Sequence, residues 1–418
     1  MASLPISDSN FTLGQAPLFG DPAISADRTF HAYVHIPFCR VRCGYCDFNT
    51  YTATELRGSS QAGFASVLQR EIAFAKTELE TQGFAPLRPA TSVFFGGGTP
   101  TQLPASDLAT ILQDLRNTFG FASDAEITTE ANPDNVDIEY LSALQKSGFT
   151  RISFGMQSAV AEVLATLERS HQPANVPAAL AAAKKVGLQN SVDLIYGAPG
   201  ETLQQWRTSL EAAIEMQPDH ISAYSLIVEL GTKLARQIAR GELPEPDEDL
   251  QADKYELADE LLSAAGYQWY EVSNWSRSVE TRSVHNLAYW RSQDWWGFGP
   301  GAHSHIGETR WWNAKHPAAY QKALSASDLD QTLVNSPAVG SERIDSKTRW
   351  IEQLLLEARI ADGLSIADVK VANSEANRVI SQLIADKLID AALALRGRIV
   401  LTLQGRLLAD YVVRELLG

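Results

Sequence analysis

The stretch Ala32-Tyr33-Val34-His35-Ile36-Pro37-Phe38-Cys39-Arg40-Val41-Arg42-Cys43-Gly44-Tyr45-Cys46 joins a strand to a loop of thiols. Residues 32–36 are a short β-rich run closed by Pro37, which cannot donate to a sheet ladder, so the cysteines fall at the C-terminal end of a strand. The chain has three cysteines, and all of them lie in this loop. An odd, clustered trio is no disulfide framework. Thiolates are soft ligands that select zinc, copper(I) or iron–sulfur clusters. A structural zinc site wants four ligands and would have to recruit a histidine such as His35, which would make the chain a zinc-stabilised interaction protein. A [4Fe–4S] cube held by three cysteines leaves one iron open to an exogenous ligand, and three ligands suit the cube better.

Beyond the loop, β-rich runs at 92–95, 126–130, 151–154, 191–195 and 221–224 alternate with segments of helical periodicity, such as Phe64, Val67, Leu68, Ile72, Ala75 and Leu79. Strand–helix alternation calls for a parallel sheet. Six such units predict an α/β fold, a partial (βα)6 TIM-like barrel over residues 29–240, whose chemistry would collect at the C-terminal strand ends.

Several polar or glycine-rich segments fall at those ends. Gly96-Gly97-Gly98-Thr99 runs a strand toward a helix start, either letting backbone amides approach a carboxylate or phosphate or simply making a tight turn. Glu130 ends another strand and suits a ribose or amine, or else a helix cap. Gln157 and Asp193 are polar residues on otherwise apolar strand ends, and each alone would serve to satisfy loop backbone.

Composition narrows the classes further. A chain of 418 residues, 45% apolar and 20% charged, is a globular protein of two or three units with no apolar run as long as a membrane span. The formal charge of −15 repels phosphate backbones, which excludes nucleic acid as the expected partner. Residues 1–28 lack the basic start and apolar core of a signal peptide and read as a flexible cytoplasmic leader. An acidic, proline-containing link at 241–249 and a Ser/Ala/Asp-rich stretch at 325–340 mark off a Trp/His-rich connecting region, 241–340. Residues 341–418 show helical periodicity, as at Ile351, Leu354, Leu355 and Ala358, with a β-like run at 398–402; a mostly helical, winged-helix-like domain is expected. Its balanced charge favours packing or partner docking over DNA.

Taken together, the CxxxCxxC spacing, the glycine triplet and Glu130 resemble the radical S-adenosylmethionine superfamily. Tyr33-Val34-His35-Ile36-Pro37-Phe38-Cys39, Gly96-Gly97-Gly98-Thr99-Pro100-Thr101, Glu130-Ala131-Asn132-Pro133 and Asp193-Leu194-Ile195-Tyr196-Gly197 are similar to the branch that holds oxygen-independent coproporphyrinogen III oxidases and haem chaperones. The resemblance covers residues 30 to 418. It implies that Cys39, Cys43 and Cys46 hold a [4Fe–4S] cluster. It implies further that Tyr33, Tyr45, Gly96, Gly97, Gly98, Thr99, Glu130, Gln157, Arg169 and Asp193 line bound S-adenosylmethionine. The oxidase pattern has a fourth cysteine two residues past the third, where this chain has Phe48, and the oxidase's N-terminal arm is longer. Both departures favour the chaperones over oxidative decarboxylation. The implied partners are haem, haem-accepting apoproteins with membrane respiratory enzymes among the candidates, and a reductant for the cluster.

Seven of the nine tryptophans lie between Trp269 and Trp312, together with His285, His303 and His305. Flat apolar rings suit a flat macrocycle, but such stretches are also common in cores. His285-Asn286-Leu287-Ala288-Tyr289-Trp290 resembles an HNxxYW signature of the chaperones, and the resemblance implies that His285 binds haem. His303 and His305 are the next candidates, or loop residues at the mouth of the site.

Overall fold

The computed structural model describes residues 12–56, 59–169, 171–325 and 335–418, and contacts divide the chain into two compact units. The first comprises residues 1–193, 227–244 and 293–344, and the second 194–226, 245–292 and 345–418. Among the described residues no helix is long and apolar enough to cross a membrane.

All six expected strands form: β1 Phe30–Ile36, β2 Ala90–Gly97, β3 Phe121–Ala131, β4 Arg151–Gln157, β5 Gln189–Tyr196 and β6 His220–Ser225. In the first unit β1 to β4 pair in parallel, and β5 is β4's other neighbour. Helices Phe64–Thr81, Ala105–Phe119, Ile138–Ser147 and Asn175–Lys185 supply the crossovers that parallel strands need. Past irregularities at Phe30/His31 and Ala90/Ser92 the strands alternate sides. Val34, Val93, Phe95, Ile127, Ile152 and Phe154 are buried on one face. Directly paired residues share a face, so the register sets Tyr33, Phe94, Thr128 and Arg151 on the opposite, polar face, with Glu130 and Ser153 beside them.

The tryptophan-rich segment departs from its expected role as a connection. After β7 Gln268–Glu271 and β8 Asn274–Ser276 in the second unit come β9 Asp294–Phe298, β10 His303–Ile306, β11 Thr309–Asn313 and β12 Ala338–Arg343 in the first. Strand β9 pairs in parallel with β1, and β10 to β12 follow antiparallel, so the sheet of the first unit continues past β1. The tryptophans obey the strand period. Trp296 and Trp311 are buried core, 4.9 Å apart edge to face, while Trp295 and Trp312 lie half-buried on the other side.

Residues 1–11 of the expected leader lie outside the described residues, as do 326–334 of the expected linker. Residues 12–28 make packing and ion-pair contacts with the first unit. Phe19 is fully buried and stacks on Trp311 at 5.1 Å, a burial worth about 1.5–3 kcal/mol. Arg28 pairs at 3.0 Å with the buried Asp294, which Arg88 clasps at 2.6 Å.

In the second unit β6, β8 and β7 form an antiparallel trio over the buried Trp275. The buried Lys254 meets Glu201 at 2.9 Å. The C-terminal part is helical around Leu354, Val369, Ile380, Leu383, Val412 and Leu416, with a ribbon of β13 Leu364–Ser365 and β14 Arg398–Ile399.

Candidate functional site

The thiol loop hangs from the end of β1. Cys39 N donates to Tyr51 O at 3.1 Å and Tyr51 N to Pro37 O at 2.7 Å, closing the loop at its neck; within it Cys46 N donates to Cys43 O at 3.2 Å. All three thiols are half-buried. Burial pushes the Cys46 thiol up to about 11, and the Cys43 and Cys39 sulfurs add to the rise; burial also raises Cys39, with Cys43 contributing. The three sulfurs therefore feel one another. Cys39 and Cys46, which burial holds protonated, ionise when a metal centre supplies positive charge, so the donor set fits a cluster.

His35, the residue that a zinc site would recruit, is committed elsewhere. Its Nε2 donates to Asn49 O at 2.9 Å and its Nδ1 meets Tyr33 Oη at 3.0 Å. Burial lowers its pKa to about 4, so the ring is neutral.

The glycine triplet brings β2 against this loop. Gly98 N donates to Ile36 O and Thr99 N to Phe38 O, both at 2.8 Å. Gly97 has φ +109, and a Cβ on it would stand 2.5 Å from the His35 ring. The triplet's close approach is thus to protein, and it is more than a generic turn because its amides are aimed. Gly97 N donates to Glu130 Oε2 at 3.2 Å. Burial, with the Asp193 carboxylate adding to it, pushes Glu130 up to about 8. Asp193 in turn accepts from the Ser153 hydroxyl at 2.7 Å.

Arg169 closes the other side. Its Nη1 donates to Cys43 Sγ at 3.3 Å and its Nη2 to Gly155 O at 3.2 Å. Tyr45 sits where burial raises its phenol and where the charges of Arg169, Cys43, Cys46 and Asp193 all act on it. Gln157 has φ +58, a conformation that costs a non-glycine residue and persists where its surroundings impose it. Its buried Oε1 has no hydrogen-bond partner among the described residues. An orphaned acceptor at a strand end is the kind of group that a polar ligand satisfies.

The glycine triplet, Glu130, Gln157 and Asp193 thus fall at or near the C-terminal strand ends, with the cysteine loop and Arg169 beside them and Tyr33 in mid-strand, whereas His303 and His305 lie on β10. His285 belongs to the second unit, on the helix Val284–Trp290. It is 2% exposed, and its Nε2 hydrogen-bonds Tyr289 Oη at 3.0 Å. Asn286 and Trp290 of the same signature donate to Glu271, whose carboxyl burial raises to about 7. The signature has an internal structural role, and in this conformation it does not present His285 to a ligand. Two groups escaped the sequence reading. Ser153 gave no signal beyond its strand period. Glu71 did: it shares the apolar face of its helix with Leu68, Ile72 and Ala75, a buried position where a carboxylate needs partners. It finds them in Gly299 N and Asn313 Nδ2, each at 2.7 Å, and in Tyr320 Oη.

Residues 33–213 match the family model of the radical SAM superfamily. The chain is 45% identical over 407 residues to the heme chaperone HemW of Mycobacterium tuberculosis (strain ATCC 25618 / H37Rv), covering 97% of both chains. The chain belongs to the HemW family. The heme chaperone HemW of Bacillus subtilis (strain 168) is 36% identical over 67% of this chain and 72% of its own. In fold the chain is similar to the coproporphyrinogen III oxidase HemN of Escherichia coli, with a TM-score of 0.76, 22% identity and coverage of 94% and 92%. Membership brings the superfamily's cofactors, a [4Fe–4S] cluster and S-adenosylmethionine.

Proposed function

We propose that this HemW-family chain binds haem and passes it to recipient apoproteins, and that Cys39, Cys43 and Cys46 hold its cluster beside S-adenosylmethionine. The observation that carries the haem reading is the 45% identity, over 97% of both chains, to a protein named for that activity. The residue assignments rest on the chemistry of the site. Three cysteine ligands would leave one iron open to S-adenosylmethionine. A cluster bound there supplies an electron to the sulfonium of that ligand.

The chain's own groups do the holding. Glu130 and Asp193 offer carboxylate oxygens to amine and hydroxyl donors, and Gln157 offers its unpaired Oε1. Gly96, Gly97, Gly98 and Thr99 would present backbone to the ligand, and Tyr33 and Tyr45 would flank it. Arg169 places a guanidinium against the Cys43 sulfur, where it offsets thiolate charge. Phe48, at the position of the oxidase's extra cysteine, is 62% exposed on the same loop, and a phenyl ring there offers no ligand. Membrane respiratory enzymes as recipients and a reductant for the cluster are the finer parts of this reading.

The test is transfer: haem-loaded, cluster-replete chain is mixed with a haem-free globin and the absorption of the globin product is followed. Haem should leave the chain for the globin. A chain that takes up no haem at all overturns the reading.

A further inference from the structure

We propose that Asn49 is a positioning residue for the cluster: its side chain bolts the exit of the cysteine loop to the open end of the β10–β11 hairpin and so holds Cys46 in place. This rests on the cluster reading above. Metal ligands are kept in position by the hydrogen bonds around them, and losing such a bond weakens metal binding. Between Cys46 and Asn49 stand Asp47 and Phe48, both exposed, so packing does not hold this arm of the loop.

Every hydrogen-bonding group of the Asn49 amide is in use. Nδ2 donates to Pro300 O at 2.9 Å and to Lys315 O at 2.8 Å, and Oδ1 accepts from Tyr51 Oη at 3.1 Å. The backbone O of the same residue accepts from His35 Nε2 at 2.9 Å. Both partners of the nitrogen are carbonyls, which only accept, so the amide has one orientation. An aspartate there would set a carboxylate oxygen against both carbonyls.

The socket that receives this amide is itself tied down. Pro300 precedes β10 and Lys315 follows β11, so one side chain spans both segments at the open end of the hairpin. The fully buried Glu71 accepts from Gly299 N and Asn313 Nδ2, each at 2.7 Å, and Asn313 Nδ2 also donates to Gly299 O at 2.9 Å. Gly301 N donates to Ala314 O at 3.0 Å. Gly301 has φ +72, and a Cβ on it would stand 2.5 Å from Asn49 Nδ2, so the glycine leaves the room that the amide fills. Toward its middle the loop has a second tie, from Leu234 N to Gly44 O at 2.9 Å. Cys46 lies between these two ties, and the sheet extension β9 to β12 thereby supports the cluster loop without supplying a ligand to it.

The test is iron release from the anaerobically reconstituted full chain to a ferrous chelator, read beside the electron paramagnetic resonance spectrum of the reduced cluster with and without S-adenosylmethionine. Asn49→Ala and Asn49→Asp should release iron about tenfold faster or more. Their spectra should differ from wild type, and so should the change that S-adenosylmethionine induces in them. Gly301→Ala keeps Asn49 but crowds its nitrogen, and should reproduce the faster release. Tyr51→Phe removes only the donor to Oδ1 and should stay near wild type. Wild-type release and spectra in both Asn49→Ala and Gly301→Ala overturn the proposal, and so does a loss in Tyr51→Phe as large as that in Asn49→Ala. Cluster-free Asn49→Ala should melt within a few degrees of the wild-type chain; a variant already unfolded before iron is added shows that the residue serves the fold and not the cluster, which also overturns it. Failure of the wild-type chain to assemble a cluster overturns the cluster reading instead.

Discussion

Glu130 Oε2 accepts a hydrogen bond from Gly97 N at 3.2 Å, with the Asp193 carboxylate near enough to add to the burial that lifts Glu130 to about 8. The pair places a protonatable group against the backbone of the glycine triplet. Its folded pKa lies above the ordinary 4.5, so between those values the folded chain keeps a proton that the unfolded chain releases. Stability must therefore fall as pH rises through that window. In the cofactor-free chain, Glu130→Gln should raise Tm near pH 8 and lose most of the gain near about pH 5. The difference is at most a few kcal/mol. A gain that does not vary with pH would place the titration elsewhere.

Gly97 is a structural requirement before it is a ligand contact. At φ +109, with the His35 ring 2.5 Å from any Cβ, Gly97→Ala should cost about 1–3 kcal/mol in denaturant unfolding of the cofactor-free chain. Unchanged stability would mean that the β1–β2 contact is looser than the geometry implies. Glu130→Gln is accordingly the cleaner probe of S-adenosylmethionine affinity.

The N-terminal segment should depend on Asp294. Its fully buried carboxylate clasps Arg28 and Arg88 and accepts from Gly307 N at 3.2 Å. Asp294→Ala leaves two guanidinium groups without their carboxylate and should cost about 3–5 kcal/mol. Trypsin should then cut at Arg28 faster than in the wild-type chain. An unaltered digestion rate would show that Phe19 alone anchors the segment.

Anaerobic reconstitution should give about four irons and four sulfides per chain. Cys43→Ala should abolish this, losing a ligand and the sulfur to which Arg169 donates. Stoichiometric zinc without iron–sulfur absorption would contradict the assignment, and so would full iron content in Cys43→Ala.

The barrel strands and the cysteine loop were legible because their signals are local: a β-rich run, Pro37, and three thiols in one loop. The extension β9 to β12 was not. Its strands are short and rich in tryptophan and histidine, and such residues suit a ligand surface as well as a core. The telling pattern was there in pairs, Trp295 half-buried beside the buried Trp296, and the buried Trp311 beside the half-buried Trp312. That is a period of two read twice. His285 shows the converse limit: a motif states that residues matter together, while burial and partners decide whether they hold a ligand or one another. Here Tyr289 and Glu271 take up the signature's polar groups.

A haem titration run beside a coproporphyrinogen turnover assay, on cluster-replete chain with reductant and S-adenosylmethionine, separates a carrier from an oxidase in one preparation. The structure and the family predict stoichiometric haem binding and unchanged coproporphyrinogen. Decarboxylation to the vinyl porphyrin, with no haem bound, would contradict them.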